Sequence, residues 1–124
     1  MKNRNDRLLG NWGEALTARY LYRQGYTILD HNRCYREGEL DLVARKGDTL
    51  AIVEVKLRSG DFTSGAEAVT LRKRERLRGA LGRYLSEHPE LDLLTIRFDV
   101  AQITAPQGTE TEQPELDYIE NAFY

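Results

Sequence analysis

The sequence predicts an α/β fold, on three observations. Two long stretches carry apolar residues at helical spacing, four shorter ones carry the β-branched, alternating character of strands, and a Gly-Asp turn ties two of those strands into a hairpin. A chain of 124 residues, 40% of them hydrophobic, suits one domain, residues 1–124, around one modest core.

Residues 6–24 read as the first helix, with Leu9, Trp12, Leu16 and Tyr20 forming one apolar stripe. Gly10 and Gly13 weaken helicity but leave room for close backbone approach, and Gly25 is a natural stop. Glu14 lies off the centre of the stripe, in line with Ala18 and Leu21, where a carboxylate can sit beside the core. Residues 26–34 read as a first strand. Gly38 opens a second, Glu39-Leu40-Asp41-Leu42-Val43-Ala44, and a third runs from Thr49 to Leu57. Residues 66–86 form a second helical pattern on Ala66, Val69, Leu77, Ala80, Leu81, Tyr84 and Leu85, with His88-Pro89 beyond its end. Leu94 to Ala101 is a further strand. Residues 104–115, with Pro106, Gly108 and Pro114, read as an exposed loop. Leu116, Tyr118, Ile119, Ala122 and Phe123 then offer an apolar set that can pack back onto the domain.

Composition narrows the function classes. No apolar run approaches the roughly 20 residues of a membrane helix, and no signal-like segment follows the charged start, so a cytoplasmic location without membrane attachment is expected. Cys34 is the only cysteine, which excludes an internal disulfide framework and a cysteine-rich zinc site. His31 lies three residues before it without further ligands nearby, so Cys34 reads as an ordinary strand-end residue. Neither His31 nor His88 belongs to a nucleophile–histidine constellation. The chain has neither a phosphate-loop motif nor a dinucleotide fingerprint.

Charge is divided along the chain. Residues 1–83 hold seventeen Lys/Arg against eleven Asp/Glu, and residues 84–124 hold one against nine. The basic portion can attract a polyanion although the formal net charge is −2. Arg58, Arg72, Lys73, Arg74, Arg76, Arg78 and Arg83 are candidates for phosphate contact, with Arg58, Arg72, Lys73 and Arg76 chosen as substrate-positioning residues. Tyr20, Tyr22, Tyr26, Tyr35 and Tyr84 include candidates for base stacking, although they form no regular platform.

The sharpest inference comes from the hairpin. With Gly47-Asp48 as a two-residue loop, Val43 faces Ile52, Asp41 faces Glu54 and Glu39 faces Lys56. Cross-strand partners share a face with Cβ atoms about 4.5–5.5 Å apart. Alternation keeps Glu54 and Lys56 on that face and turns Val53, Val55 and Leu57 to the other. Two facing carboxylates repel unless something offsets their charge, and a divalent cation does so. Mg²⁺, with Mn²⁺ as the alternative, favours carboxylate and water oxygens, and Lys56 stands where an ammonium orients water or balances charge on a phosphate. These are the minimum parts for phosphodiester hydrolysis. A solvated charged hairpin face is the competing explanation.

The ordered blocks Gly10-Asn11-Trp12-Gly13-Glu14-Ala15, Leu21-Tyr22-Arg23-Gln24-Gly25-Tyr26, Gly38-Glu39-Leu40-Asp41-Leu42-Val43, Val53-Glu54-Val55-Lys56-Leu57-Arg58, Arg97-Phe98-Asp99-Val100 and Ile119-Glu120-Asn121-Ala122-Phe123 resemble the UPF0102, or YraN-like, family of bacteria. That family is similar to the restriction-endonuclease-like superfamily and to archaeal Holliday-junction resolvases. The resemblance implies a mixed β-sheet flanked by α-helices. It also implies catalytic roles for Glu14, Asp41, Glu54 and Lys56. Leu40 and Ile52 depart conservatively from the usual pattern and remove no catalytic group. Junction resolution uses two sites on related strands, so the resemblance also points to a homodimer.

The favoured expectation is a divalent-metal-dependent DNA endonuclease acting on branched or otherwise unusual DNA. Asp41 and Glu54 hold the metal with the Val55 carbonyl as an extra ligand, Lys56 assists the attacking water or stabilises charge, and Glu14 holds a second metal, binds metal-linked water or organises the ligands around the first. The alternatives are a non-catalytic nucleic-acid-binding domain and a structural or protein-interaction domain.

Overall fold

A computed structural model of the chain describes residues 4–58 and 70–123, with side chains described from residue 11. The predictions at Leu9, Gly10, Ala66 and Val69 concern side chains or segments outside this description. Helix α1 runs Arg4–Arg23 and ends as expected at Gly25, whose φ of 95° an L side chain rarely adopts. The Tyr26 N–H donates to the Leu21 carbonyl and the Gly25 N–H to that of Tyr22, which satisfies carbonyls that the helix end would otherwise leave unpaired.

Strands β1 (Thr27–Cys34), β2 (Glu39–Lys46) and β3 (Thr49–Arg58) follow, then helix α2 (Leu71–Glu87) and strands β4 (Thr95–Thr104) and β5 (Glu115–Phe123). The sheet order is β1-β2-β3-β4-β5, antiparallel throughout except for the parallel β3–β4 pair. Parallel neighbours need a long crossover, and α2 lies within it. Gly47, at φ 59°, supplies the positive φ of the two-residue β2–β3 turn, and the last pair is Lys46–Thr49.

Alternation along the central strands divides the apolar residues between two faces. Leu50, Ile52, Phe98 and Val100 pack with Leu77, Ala80, Leu81 and Tyr84 of α2. Ala51, Val53 and Ala101 pack with Leu21 of α1 on the opposite face. The result is helix, sheet, helix: a mixed sheet flanked by α-helices, compatible with the restriction-endonuclease-like arrangement. Among the described residues, no helix is long and apolar enough to cross a membrane.

Three expectations need correction. In α1 the buried line is Gly13, Thr17 and Leu21, while Trp12, Leu16 and Tyr20 flank it half-buried. A Cβ on Gly13 would come within 3.0 Å of Leu57 Cδ2, so the absent side chain is what lets this helix sit close to β3. The buried Thr17 hydroxyl donates to the Gly13 carbonyl at 2.9 Å, so it carries no polar penalty there. Helix α2 starts later than residue 66, because Thr70 is extended and its hydroxyl caps the Lys73 N–H at 3.1 Å. Residues 104–115 are not loop throughout. Thr104 closes β4, Ala105 is buried and donates its N–H to the Arg58 carbonyl, and Glu115 opens β5.

Strand β5 is held by a buried acid. Asp99 has no exposed surface, and on β5 Glu120, Asn121 and Ala122 intervene between the partners of Phe98 and Val100. The Asp99 carboxylate fills this bulge. It accepts from the Asn121 N–H at 2.9 Å, from the Tyr118 hydroxyl at 2.5 Å and from the Arg97 guanidinium at 2.8–3.1 Å. Arg97 also donates to the Tyr26 hydroxyl, linking the end of the α1 turn to the same network. Asn121 takes a φ of 53° to turn its N–H inward.

Two glycines, one tightly packed and one in open space, give direct predictions. A Cβ on Gly38 would stand 2.5 Å from the Arg76 carbonyl oxygen, whereas one on Gly82 meets nothing within 4 Å. Gly38→Ala should therefore lose about 2 kcal/mol or more in urea unfolding, and Gly82→Ala should gain about 0.5–1 kcal/mol through helix propensity. Asp99→Ala leaves Arg97, Tyr118 and Asn121 without their shared acceptor and should cost about 3 kcal/mol by the same measurement.

Candidate functional site

The β2–β3 ladder follows the expected register from Lys46–Thr49 through Val43–Ile52 to Leu42–Val53, where it ends. Strand β3 stays paired with β4 over its whole length, as far as Arg58–Thr104. The Val55 N–H takes the Asp41 carboxylate instead of a β2 carbonyl, at 2.9 Å to Oδ2. Leu40 joins the α2-side cluster together with Val43, while Leu42 joins the α1-side cluster. Two residues, Asp41 and Leu42, thus stand between side chains on the same side, one more than a regular strand allows. Asp41 sits where the strands part.

That parting gathers acids from several elements. Glu14 from α1, Glu39 from the start of β2 and Asp41 each offer a carboxylate oxygen, all within 4.8 Å of one another, and all three residues are half-buried. Glu54 approaches Asp41 from β3 closely enough to influence its titration. The Asp41 carboxyl is pushed up to about 8, chiefly by burial and next by the Glu54 charge, with Glu14 and Glu39 adding to the rise. The Val55 N–H acts in the opposite direction by stabilising the carboxylate.

Glu54 is nearly buried and lies outside the tight trio. Its Oε2 pairs with Lys73 Nζ of α2 at 3.1 Å. Lys56, two residues further along β3, is half-buried on the side that alternation gives to Glu54. All the acidic donors are hard carboxylate oxygens, which suit Mg²⁺ or Mn²⁺. Around one octahedral Mg²⁺, adjacent oxygens lie about 3.0 Å apart and opposite ones about 4.2 Å, and at most one pair of three can be opposite, so oxygens as much as 4.8 Å apart draw together by up to about 1.8 Å to share one ion.

The chosen substrate-positioning residues occupy different settings. Arg72 and Arg76 are exposed on α2, Lys73 is engaged by Glu54, and half-buried Arg58 faces the Gln102 amide. Arg74 and Arg78 lie over the rings of Phe123 and Phe98, and Arg83 pairs with Glu37 at 3.3 Å. Tyr84 and Tyr26 are buried, which removes them as base-stacking candidates, and Tyr20 packs on Tyr118.

The family described as "Uncharacterised protein family UPF0102" matches residues 13–103. The chain belongs to the UPF0102 family. A UPF0102 protein of Frankia casuarinae is 45% identical over 93% of this chain and 95% of its own length. One from Parafrankia is 49% identical over 77% and 80%, and one from Pelotomaculum thermopropionicum is 42% identical over 94% and 96%. The UPF0102 match contains Glu14, Glu39, Asp41, Glu54, Lys56 and Lys73 in one span.

The structure adds one residue to the expected acidic group and gives another expected residue a new neighbour. Glu39 was paired with Lys56 by extending the ladder, but the ladder opens and Glu39 joins Glu14 and Asp41. Lys73, expected to position substrate, lies here 3.1 Å from Glu54. The hint was the Thr70-x-x-Lys73 start of α2, which fixes the lysine in the first turn.

The raised Asp41 pKa makes stability depend on pH. Its carboxyl is protonated in the fold and ionised in the unfolded chain between the ordinary value of 3.8 and about 8. The stabilisation from this extra bound proton is complete below 3.8 and is lost as pH rises through about 8. In chelator, thermal melts should therefore show Tm falling across this window, and Asp41→Asn should flatten the decline.

Proposed function

We propose that the protein is a divalent-metal-dependent endonuclease that hydrolyses phosphodiester bonds in DNA, with branched DNA as the favoured substrate. The observation that carries this reading is the convergence of Glu14, Glu39 and Asp41 at the parting of β2 and β3, with Glu54 and Lys56 on the adjoining strand. Acids crowded around a carboxyl whose pKa they raise, as here around Asp41, are an expensive arrangement for a scaffold and a common one for a site that receives a cation.

Asp41 and Glu54 are the principal metal ligands in this proposal, and Glu14 and Glu39 complete or water-link the shell. Bound there, Mg²⁺ or Mn²⁺ supplies charge to polarise a phosphate oxygen and to lower the pKa of water. The remaining work belongs to the chain. The Val55 N–H holds one Asp41 oxygen in a fixed direction, which leaves the other to face the cluster. Lys56 places a positive charge beside the reacting phosphate, where it orients water and offsets developing negative charge. Arg72 and Arg76, exposed on α2, give phosphate contacts that position a strand without reading its bases.

The preference for branched DNA rests on the similarity to junction resolvases, and a homodimer would bring one site to each of two related strands. The test is incubation of the purified protein with single-stranded, duplex, flap and four-way-junction DNA, with and without Mg²⁺ or Mn²⁺. Cleavage should require the metal. It should fall at least about 100-fold in Asp41→Asn, Glu54→Gln and Lys56→Ala variants that remain folded. Salt-sensitive DNA binding without cleavage would favour the non-catalytic binding domain. Neither binding nor cleavage would favour a structural role.

A further inference from the structure

Glu54 and Lys73 differ in how firmly they are held. The Glu54 side chain is 11% exposed on the central strand β3, whereas that of Lys73 is 49% exposed at the end of a flexible stem. Their 3.1 Å contact therefore joins a fixed acid to a mobile ammonium. The backbone of Lys73 is fixed separately, because its N–H is held by the Thr70 hydroxyl that caps α2. The ammonium can swing without disturbing the helix. Exposed Arg72 and Arg76 lie on the same end of α2, next to a helix N-terminus that favours phosphate.

We propose that Lys73 is an internal counter-ion that exchanges Glu54 for a substrate phosphate when a divalent cation enters the acidic site, so that metal binding and nucleic-acid binding reinforce each other. The inference rests on the metal-dependent reading above and adds a coupling between its two ligands. In the metal-free protein, Lys73 offsets one of the charges crowded around Asp41. A dication on Glu54 repels the ammonium from the same carboxylate. The mobile, half-exposed partner leaves, and the exposed side of α2 offers it a phosphate in company with Arg72 and Arg76. By reciprocity, a phosphate that draws Lys73 away frees Glu54 and tightens the metal.

Isothermal titration of the full chain with Mn²⁺ tests the first half. Lys73→Met should bind Mn²⁺ roughly three- to fivefold more tightly than the parent protein, within the range of a half-exposed ion pair. Lys73→Arg should match the parent, and Lys73→Met should have no effect in a Glu54→Gln background. The second half is read by anisotropy of a fluorescein-labelled four-way junction in Ca²⁺ or in EDTA. Ca²⁺ should strengthen junction binding in the parent, and the strengthening should shrink in Lys73→Met by about the factor gained in Mn²⁺ affinity. Unchanged or weaker Mn²⁺ binding by Lys73→Met overturns the exchange, as does equal tightening with and without Glu54, or an unaltered Ca²⁺ effect on junction binding. Failure of the parent to bind Mn²⁺, or binding indifferent to Asp41→Asn, instead overturns the reading of the site and removes this coupling with it.

Discussion

The bond from the Val55 N–H to Asp41 Oδ2 is the contact on which the site's architecture turns. Strand β3 is committed to β4 along its full length, but its pairs with β2 end at Val53. Beyond that point the half-buried Val55 N–H on the β2 side would lack a protein partner. Asp41 supplies the acceptor through its side chain. The backbone of β2 is thereby free to diverge, and the space it vacates admits Glu14 from one helix and Glu39 from the strand's own beginning. One hydrogen bond both terminates a ladder and opens a cleft.

The cleft is electrostatically unfavourable by itself, so the scaffold around it has to be rigid. On the α1 side, Gly13 lets the helix approach Leu57 and brings Glu14 to the strands. On the α2 side, Gly38 lies against the Arg76 carbonyl and fixes the chain just before Glu39. One strand over, at the level of Val53, the Arg97–Asp99–Tyr118 network ties the last strand to the sheet and to Tyr26. These contacts over-determine the backbone, which is how a fold tolerates like charges at close range.

Much of this was legible because the relevant signals are local. Gly25 marked the helix stop, Gly47-Asp48 set the hairpin, and Val43 opposite Ile52 followed from counting. Counting failed one pair beyond Leu42–Val53, since period-two alternation assumes that both strands continue and says nothing of a side chain replacing a main-chain acceptor. The α1 stripe misled because hydrophobicity favours Trp12 and Leu16, whereas close packing selected Gly13 and Thr17. Strand β5 was hidden for a different reason. Its bulge breaks alternation, and the acid that stabilises that bulge lies about twenty residues earlier, on β4. The Glu54–Lys73 pair likewise joins elements whose relation only the crossover establishes.

That crossover has a kinetic consequence. Asp41 and Glu54 lie on strands joined by a two-residue turn, so their meeting requires little loop closure and belongs to an early, local event. The β3–β4 pairing must instead close the whole segment from Arg58 to Thr95, and α2 settles on the sheet as part of that closure. The hairpin that carries Asp41 and Glu54 is thus a local contact, whereas the pairing of Glu54 with Lys73 exists only once the long crossover is closed. The Lys73 charge beside Glu54 therefore reaches it through the part of the topology with the highest loop-closure cost.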